Sequence, residues 1–209
     1  MPTKQLPARG RPEPGTVERR ELRRFFRSKR NALDAPMQAA HAEAVARHFC
    51  AAGLTCRGHT VGAYLANDGE LDTQPLIQRL LDAGKRLALP VVRRGRIMEF
   101  YRYRANTALT PNRFGIPEPV PGSAYVNPLG IDLLLVPLVA FDAFGMRLGM
   151  GAGYYDRFLG RLAPRLRPRL IGLAHSLQYC SDPLPFDDWD VPLDGVVTEQ
   201  GWQAFDRDH

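Results

Sequence analysis

Residues 131–159 read IDLLLVPLVAFDAFGMRLGMGAGYYDRFL, and no other stretch restricts the fold as tightly. Its opening, IDLLLV, is the most apolar short run in the chain. Such runs form strands that are covered on both faces, and those strands sit inside mainly parallel sheets. Glycines then alternate at 149, 151 and 153, and a helical pattern opens at Tyr154. A buried strand, a Gly-rich connection and a helix in that order predict a layered α/β domain, because the helix must pack back across the sheet.

The same stretch carries chemistry. Ligands of such sheets bind at the carboxyl ends of the strands. Alternating glycines let successive backbone amides approach an anion without interference from Cβ, and a helix N-terminus adds further N–H donors. Arg147 just upstream supplies a fixed, forked cation. Asp156 just downstream supplies a hard oxygen ligand. Together they predict a phosphate and metal site. The stretch lacks the Gly-Lys-Ser/Thr ending of a P-loop. It also lacks the third glycine and the following acid of a dinucleotide fingerprint.

The rest of the chain fits one three-layer α/β/α, Rossmann-like domain over residues 16–209, with a mainly parallel central sheet. Residues 1–15 hold four prolines and two glycines and are expected to form a flexible tail. Helices are predicted from Thr16 to about Leu33, from Asp34 to about Cys50, from Asp72 to Ala83 and from Gly153 to Leu162. Strands are predicted at His59–Leu65, Arg86–Pro90, Ile97–Tyr101, Ile131–Val136 and Leu170–Ala174, and at Val196 and Val197. Residues 104–130, with five prolines and three glycines, are expected to form a long ordered loop or lid.

Net charge is +6, which invites a nucleic-acid reading. Its distribution argues against one. Residues 1–30 hold ten Lys and Arg against three Asp and Glu, whereas residues 31–209 hold eighteen against nineteen. No apolar run reaches membrane-spanning length, and the first residues lack the apolar core of a secretory signal. Three widely spaced cysteines suit a reducing compartment rather than a disulfide framework or a zinc quartet. The chain is therefore expected to be a cytoplasmic monomer with no membrane or nucleic-acid partner.

Arg147-Leu-Gly-Met-Gly-Ala-Gly-Tyr-Tyr-Asp-Arg157 resembles the signature of the 5-formyltetrahydrofolate cyclo-ligase family, also called 5,10-methenyltetrahydrofolate synthetases. Arg19-Arg-Glu-Leu-Arg23, Tyr64–Thr73, Gly115-Ile-Pro-Glu-Pro119, Leu170–Gln178, Trp189-Asp190 and Leu193–Glu199 resemble further family blocks, in family order. The resemblance implies ATP- and Mg²⁺-dependent closure of 5-formyltetrahydrofolate to 5,10-methenyltetrahydrofolate, releasing ADP and phosphate. The formyl oxygen is phosphorylated first, and the neighbouring nitrogen then attacks the activated carbon. Carried over by position, Arg19 and Arg23 would bind ATP phosphates. Arg147, Leu148, Gly149, Met150, Gly151, Ala152, Gly153, Tyr154 and Tyr155 would form the nucleotide loop, with Arg147 catalytic. Leu65, Glu70, Met150 and Tyr154 would contact the folate, and Asp156 and Asp190 would hold Mg²⁺. Two positions depart from the pattern: Arg19 stands where the family often has Lys, and Ala152 where some members carry Lys.

Taken singly, several of these residues have plainer readings. Arg19 and Arg23 lie on one helix face, as solvated charges often do, and Arg20, Arg24 and Arg27 are assigned to solvent. His41 and His48, seven apart, read as surface residues, and His175 as a satisfied strand-end histidine. Phe114 either stacks on a pterin or anchors the lid. Two other functions stay open from the residues alone: a sugar-phosphate isomerase or acyl-transfer enzyme, and a nucleic-acid binder using the basic N-terminal helix.

Overall fold

The structure, a computed structural model, describes residues 16–206; the expected tail at 1–15 lies outside them. Helix α1 (Thr16–Asn31) is strongly amphipathic, and α2 (Ala35–Ala51) starts where the Asp34 carboxylate accepts from the Met37 amide, 2.8 Å away, with Pro36 in the first turn. Strand β1 (Thr60–Gly62) leads through α3 (Gln74–Asp82) to β2 (Arg86–Val92) and β3 (Met98–Tyr103). Then come β4 (Leu109–Pro111), β5 (Pro117–Pro119), β6 (Tyr125–Val126), β7 (Leu133–Pro137), β8 (Ala140–Phe141) and β9 (Arg147–Leu148). Helix α4 (Tyr154–Gly160), β10 (Arg169–Leu173), β11 (Gly195–Thr198) and β12 (Gly201–Ala204) complete the described elements.

Eight strands form the main sheet in the order β12-β11-β10-β7-β1-β2-β3-β6. The five central strands, β11 to β2, run parallel, and β12, β3 and β6 join antiparallel at the edges. Side chains alternate across the sheet. Leu133 and Leu135 of β7 face α2 and α3 with Val45, Phe49, Ile77 and Leu80. Leu134 and Val136 face α4 with Phe158 and Leu159. Three layers follow from that alternation.

From β1 the chain moves one way across the sheet to β2. From β7 it moves the other way, to β10 and β11. Right-handed crossovers in opposite directions put α3 and α4 on opposite faces. A crevice therefore opens beyond the carboxyl ends of β1 and β7, where the strand order reverses.

Residues 104–130 differ from the expected loop. They contain the β4–β5 hairpin, in register Leu109–Pro119, Thr110–Glu118 and Pro111–Pro117, and the edge strand β6. Proline cannot donate to a ladder, so it suits such short pairings outside the main sheet. The β7–β9 connection is likewise a hairpin, with β8 paired to β9.

Candidate active site

A cavity of about 1040 Å³ occupies the crevice. Its floor is the chain leaving β1 and β7, including Tyr64, Leu65, Pro137 and Leu138. From β1 the chain turns sharply through Asn67–Glu70. Asp68 has φ 53° and Gly69 φ 71°. A Cβ at Gly69 would meet Asn31 Oδ1 at 1.9 Å, so this turn requires glycine. Helix α1 clamps it. Arg27 Nε and Nη2 donate to the Asp68 carboxylate at 2.7 and 3.0 Å. Arg30, fully buried, donates to the Asp68 carboxylate and carbonyl, both at 2.9 Å, and to the Leu138 carbonyl at 3.1 Å. Arg30 thus joins α1, the turn and the end of β7.

The turn presents Glu70, whose carboxylate accepts from the Asn67 amide at 3.1 Å. Burial pushes its pKa up to about 7, against the opposing pull of Arg30 and that amide. Burial and the nearby Glu70 carboxylate also raise the Tyr64 and Tyr155 phenols. The buried Tyr64 hydroxyl makes no hydrogen bond.

The opposite wall is the glycine loop. Gly151 and Gly153 adopt φ 95° and 68°, which side chains resist, whereas Gly149 has an ordinary φ and open space at its Cβ position. Arg147, its side chain only 4% exposed, donates to Asp156 on α4 and to the Val191 carbonyl. Arg157 Nη1 donates to the Ala152 and Gly153 carbonyls at 2.9 and 3.2 Å. Arg157 and Arg161 also line the cavity, so the wall keeps cations despite Ala152.

Helix α1 closes the third side. Arg23 Nε donates to the Gly149 carbonyl at 2.8 Å, and burial lowers the Arg23 pKa. Arg19 pairs with Asp187 at 2.9 Å and Asp190 at 2.7 Å, and Asp190 also accepts from the Asp187 amide. The β4–β5 hairpin tip reaches over the loop. Arg113 donates to the Tyr154 hydroxyl, Phe114 packs edge-on to the Tyr154 ring at 6.4 Å, and the Arg113 guanidinium lies 4.8 Å from the Phe114 centroid.

Every site residue expected from sequence lines this one cavity, although α1 and Asp190 are some 170 positions apart in the chain. A model of the 5-formyltetrahydrofolate cyclo-ligase family matches residues 15–199. The chain belongs to that family. It is 41% identical to a 5-formyltetrahydrofolate cyclo-ligase of Escherichia coli over 83% of this chain and 96% of the relative. Against the Haemophilus influenzae cyclo-ligase, identity is 37% over 87% and 98%. A solved 5,10-methenyltetrahydrofolate synthetase from Aquifex aeolicus superposes with TM-score 0.79 at 36% identity, covering 92% of this chain and 95% of that one. One from Mycoplasma pneumoniae gives TM-score 0.70 at 26% identity, covering 88% and 99%.

Sequence reasoning missed residues that line this cavity or hold the turn that frames it: Asp187 lines it, and Arg27 and Arg30 hold the turn. Arg27, assigned to solvent, forms a bidentate pair with Asp68. Arg30 and Asp187 were not singled out. Their only sequence signal was a basic helix and an acidic loop, which solvated surfaces share.

Proposed function

We propose that the protein is a 5-formyltetrahydrofolate cyclo-ligase that uses ATP to phosphorylate the formyl oxygen, after which the neighbouring nitrogen closes the ring and phosphate leaves. The observation that carries this reading is the convergence of Arg19, Arg23, Arg147, the glycine loop and Glu70 on one cavity in a chain of this family. The cavity volume lies at the upper end of the range for single small-molecule sites, which suits two co-substrates side by side.

The reaction needs no covalent nucleophile on the protein. It needs the γ-phosphate held against the formyl oxygen and the phosphoryl charge stabilised. Arg147 would perform the second task. Its head is almost shielded from water, and two partners, one of them the oppositely charged Asp156, fix its orientation. Arg19 and Arg23 add positive charge from α1, and the loop amides of residues 148–155 complete the phosphate cradle. Glu70 accepts from pterin N–H groups, with Leu65, Met150 and Tyr154 against the ring system.

Asp156 and Asp190 are oxygen donors of the type Mg²⁺ takes, and two carboxylates with phosphate oxygens are a normal set for it. Each is already paired with an arginine, Asp156 with Arg147 and Asp190 with Arg19. The groups proposed for cation and polyphosphate thus stand side by side as matched pairs. Bound there, Mg²⁺ would screen the phosphate charges. Asp156→Asn is expected to raise the Mg²⁺ concentration needed for half-maximal turnover by ~10-fold or more, with the far-ultraviolet spectrum unchanged. An unaltered Mg²⁺ requirement would remove Asp156 from the ligand set. The free thiols of Cys50, Cys56 and Cys180 support a cytoplasmic location.

A further inference from the structure

A second group of chemically competent side chains stands apart from the cavity. His41 on α2, His175 just past β10 and Glu199 just past β11 bring one donor atom each within 4.8 Å of one another, the only such group of three among the described residues. None of them lines the cavity. His41 Nδ1 lies 2.9 Å from His175 Nδ1 and 3.8 Å from Glu199 Oε2. Donors around a four-coordinate zinc ion, with bonds of about 2.0–2.2 Å, stand roughly 3.3–3.5 Å apart. The two separations bracket that spacing.

The surroundings are those of a prepared ligand set. Glu199 is held in place: Oε2 accepts from the Ser176 amide at 2.9 Å, and Oε1 from the Ser176 hydroxyl. A carboxylate oxygen with one such bond keeps a lone pair for a cation, and outer hydrogen bonds of this kind fix the orientation of metal ligands. His48, one helical face along from His41, pairs through Nε2 with the Glu199 carbonyl at 3.2 Å. His175 is fully buried, and its Nε2 makes no hydrogen bond. The His41 and Glu199 side chains are 18% and 15% exposed, so the group is open to solvent on one side. Two imidazoles, a carboxylate and an open position match the donor set of a three-ligand zinc site.

We propose that His41, His175 and Glu199 bind a divalent transition-metal ion of the Zn²⁺ type, with water at the fourth position. The ion would tie α2 to the carboxyl ends of β10 and β11. The proposal does not rest on the nucleotide and folate reading, since none of the three residues lines the cavity, although His175 lies against Gly69 of the turn that frames it.

Tag-free, chelator-stripped protein dialysed against Zn²⁺ should take up one equivalent per chain at this site. Co²⁺ should give the visible ligand-field band of a low-coordinate centre, and Zn²⁺ should raise the thermal midpoint, reversibly with chelator. His41→Ala and Glu199→Gln, both at part-exposed positions, should each weaken binding by ~10-fold or more. Binding by the Asp156→Asn/Asp190→Asn double variant should match that of the wild type. Should His41→Ala fail to fold, Glu199→Gln decides. The proposal is overturned if the wild type shows neither stoichiometric uptake nor the Co²⁺ band. It is also overturned if binding survives in the folded histidine or glutamate variant, which would place the metal on Cys56 or the cavity acids.

Discussion

Arg30 and Glu70 mark the two ways a single residue builds this site. Arg30 carries a charge that is completely buried yet fully engaged with the Asp68 turn and the end of β7. Its fixed fork lets one side chain hold two chain segments. Glu70 carries a carboxyl that the turn holds half-buried, with its pKa raised to about 7. Because the fold binds that proton more tightly than the unfolded chain, Glu70 subtracts stability as pH rises from about 4.5 to about 7. On the proposed reading, the ionised form is the one that would accept from a pterin. Initial-rate measurements should therefore show KM for the folate falling as pH rises through about 7. Glu70→Gln should raise that KM and flatten its pH dependence while modestly stabilising the fold at pH 8; the same slope in the variant would assign it to another group. Glu70 was singled out only because Tyr64–Thr73 resembles a family block. The sequence did not disclose Arg30, because a helix with this many arginines reads as solvated until the partner Asp68, 38 positions away, is brought to it.

Among the elements, the glycine loop and its helix were legible because glycine spacing and apolar pattern are local signals. The β4–β5 hairpin was not, because its prolines mimic a loop and only pairing across the turn reveals strands. Within the loop, the backbone separates glycines that look equivalent. Gly151 sits at φ 95°, near the Arg23 guanidinium, whereas Gly149 faces open space at an ordinary φ. Gly151→Ala should cost at least ~1–2 kcal/mol and sharply lower turnover. Gly149→Ala should leave stability within about 1 kcal/mol of wild type. Urea unfolding of the two variants checks this, and equal losses would show that the loop backbone is not the constraint described.

At the scale of the whole molecule, part of the basic N-terminal segment stops being a property of the surface. Arg19, Arg23, Arg27 and Arg30 are four of its cations, and each engages the cavity wall or the turn that frames it. The strand order, with its reversal between β1 and β7, could not be read from sequence. Alternation says which residues are buried but not which strands are neighbours. We propose that this sheet makes the described chain one cooperative unit, since β7 supplies both faces of its core. Leu134→Ala and Leu135→Ala, on opposite faces, should each cost ~3 kcal/mol and leave one unfolding transition. Two separated transitions in calorimetry would divide the domain.

The central claim is tested most directly by mixing the protein with 5-formyltetrahydrofolate and MgATP and following the absorbance band of the methenyl product. The account predicts a rise that requires ATP and is matched mole for mole by ADP. Well-folded protein giving no ATP-dependent rise would contradict it.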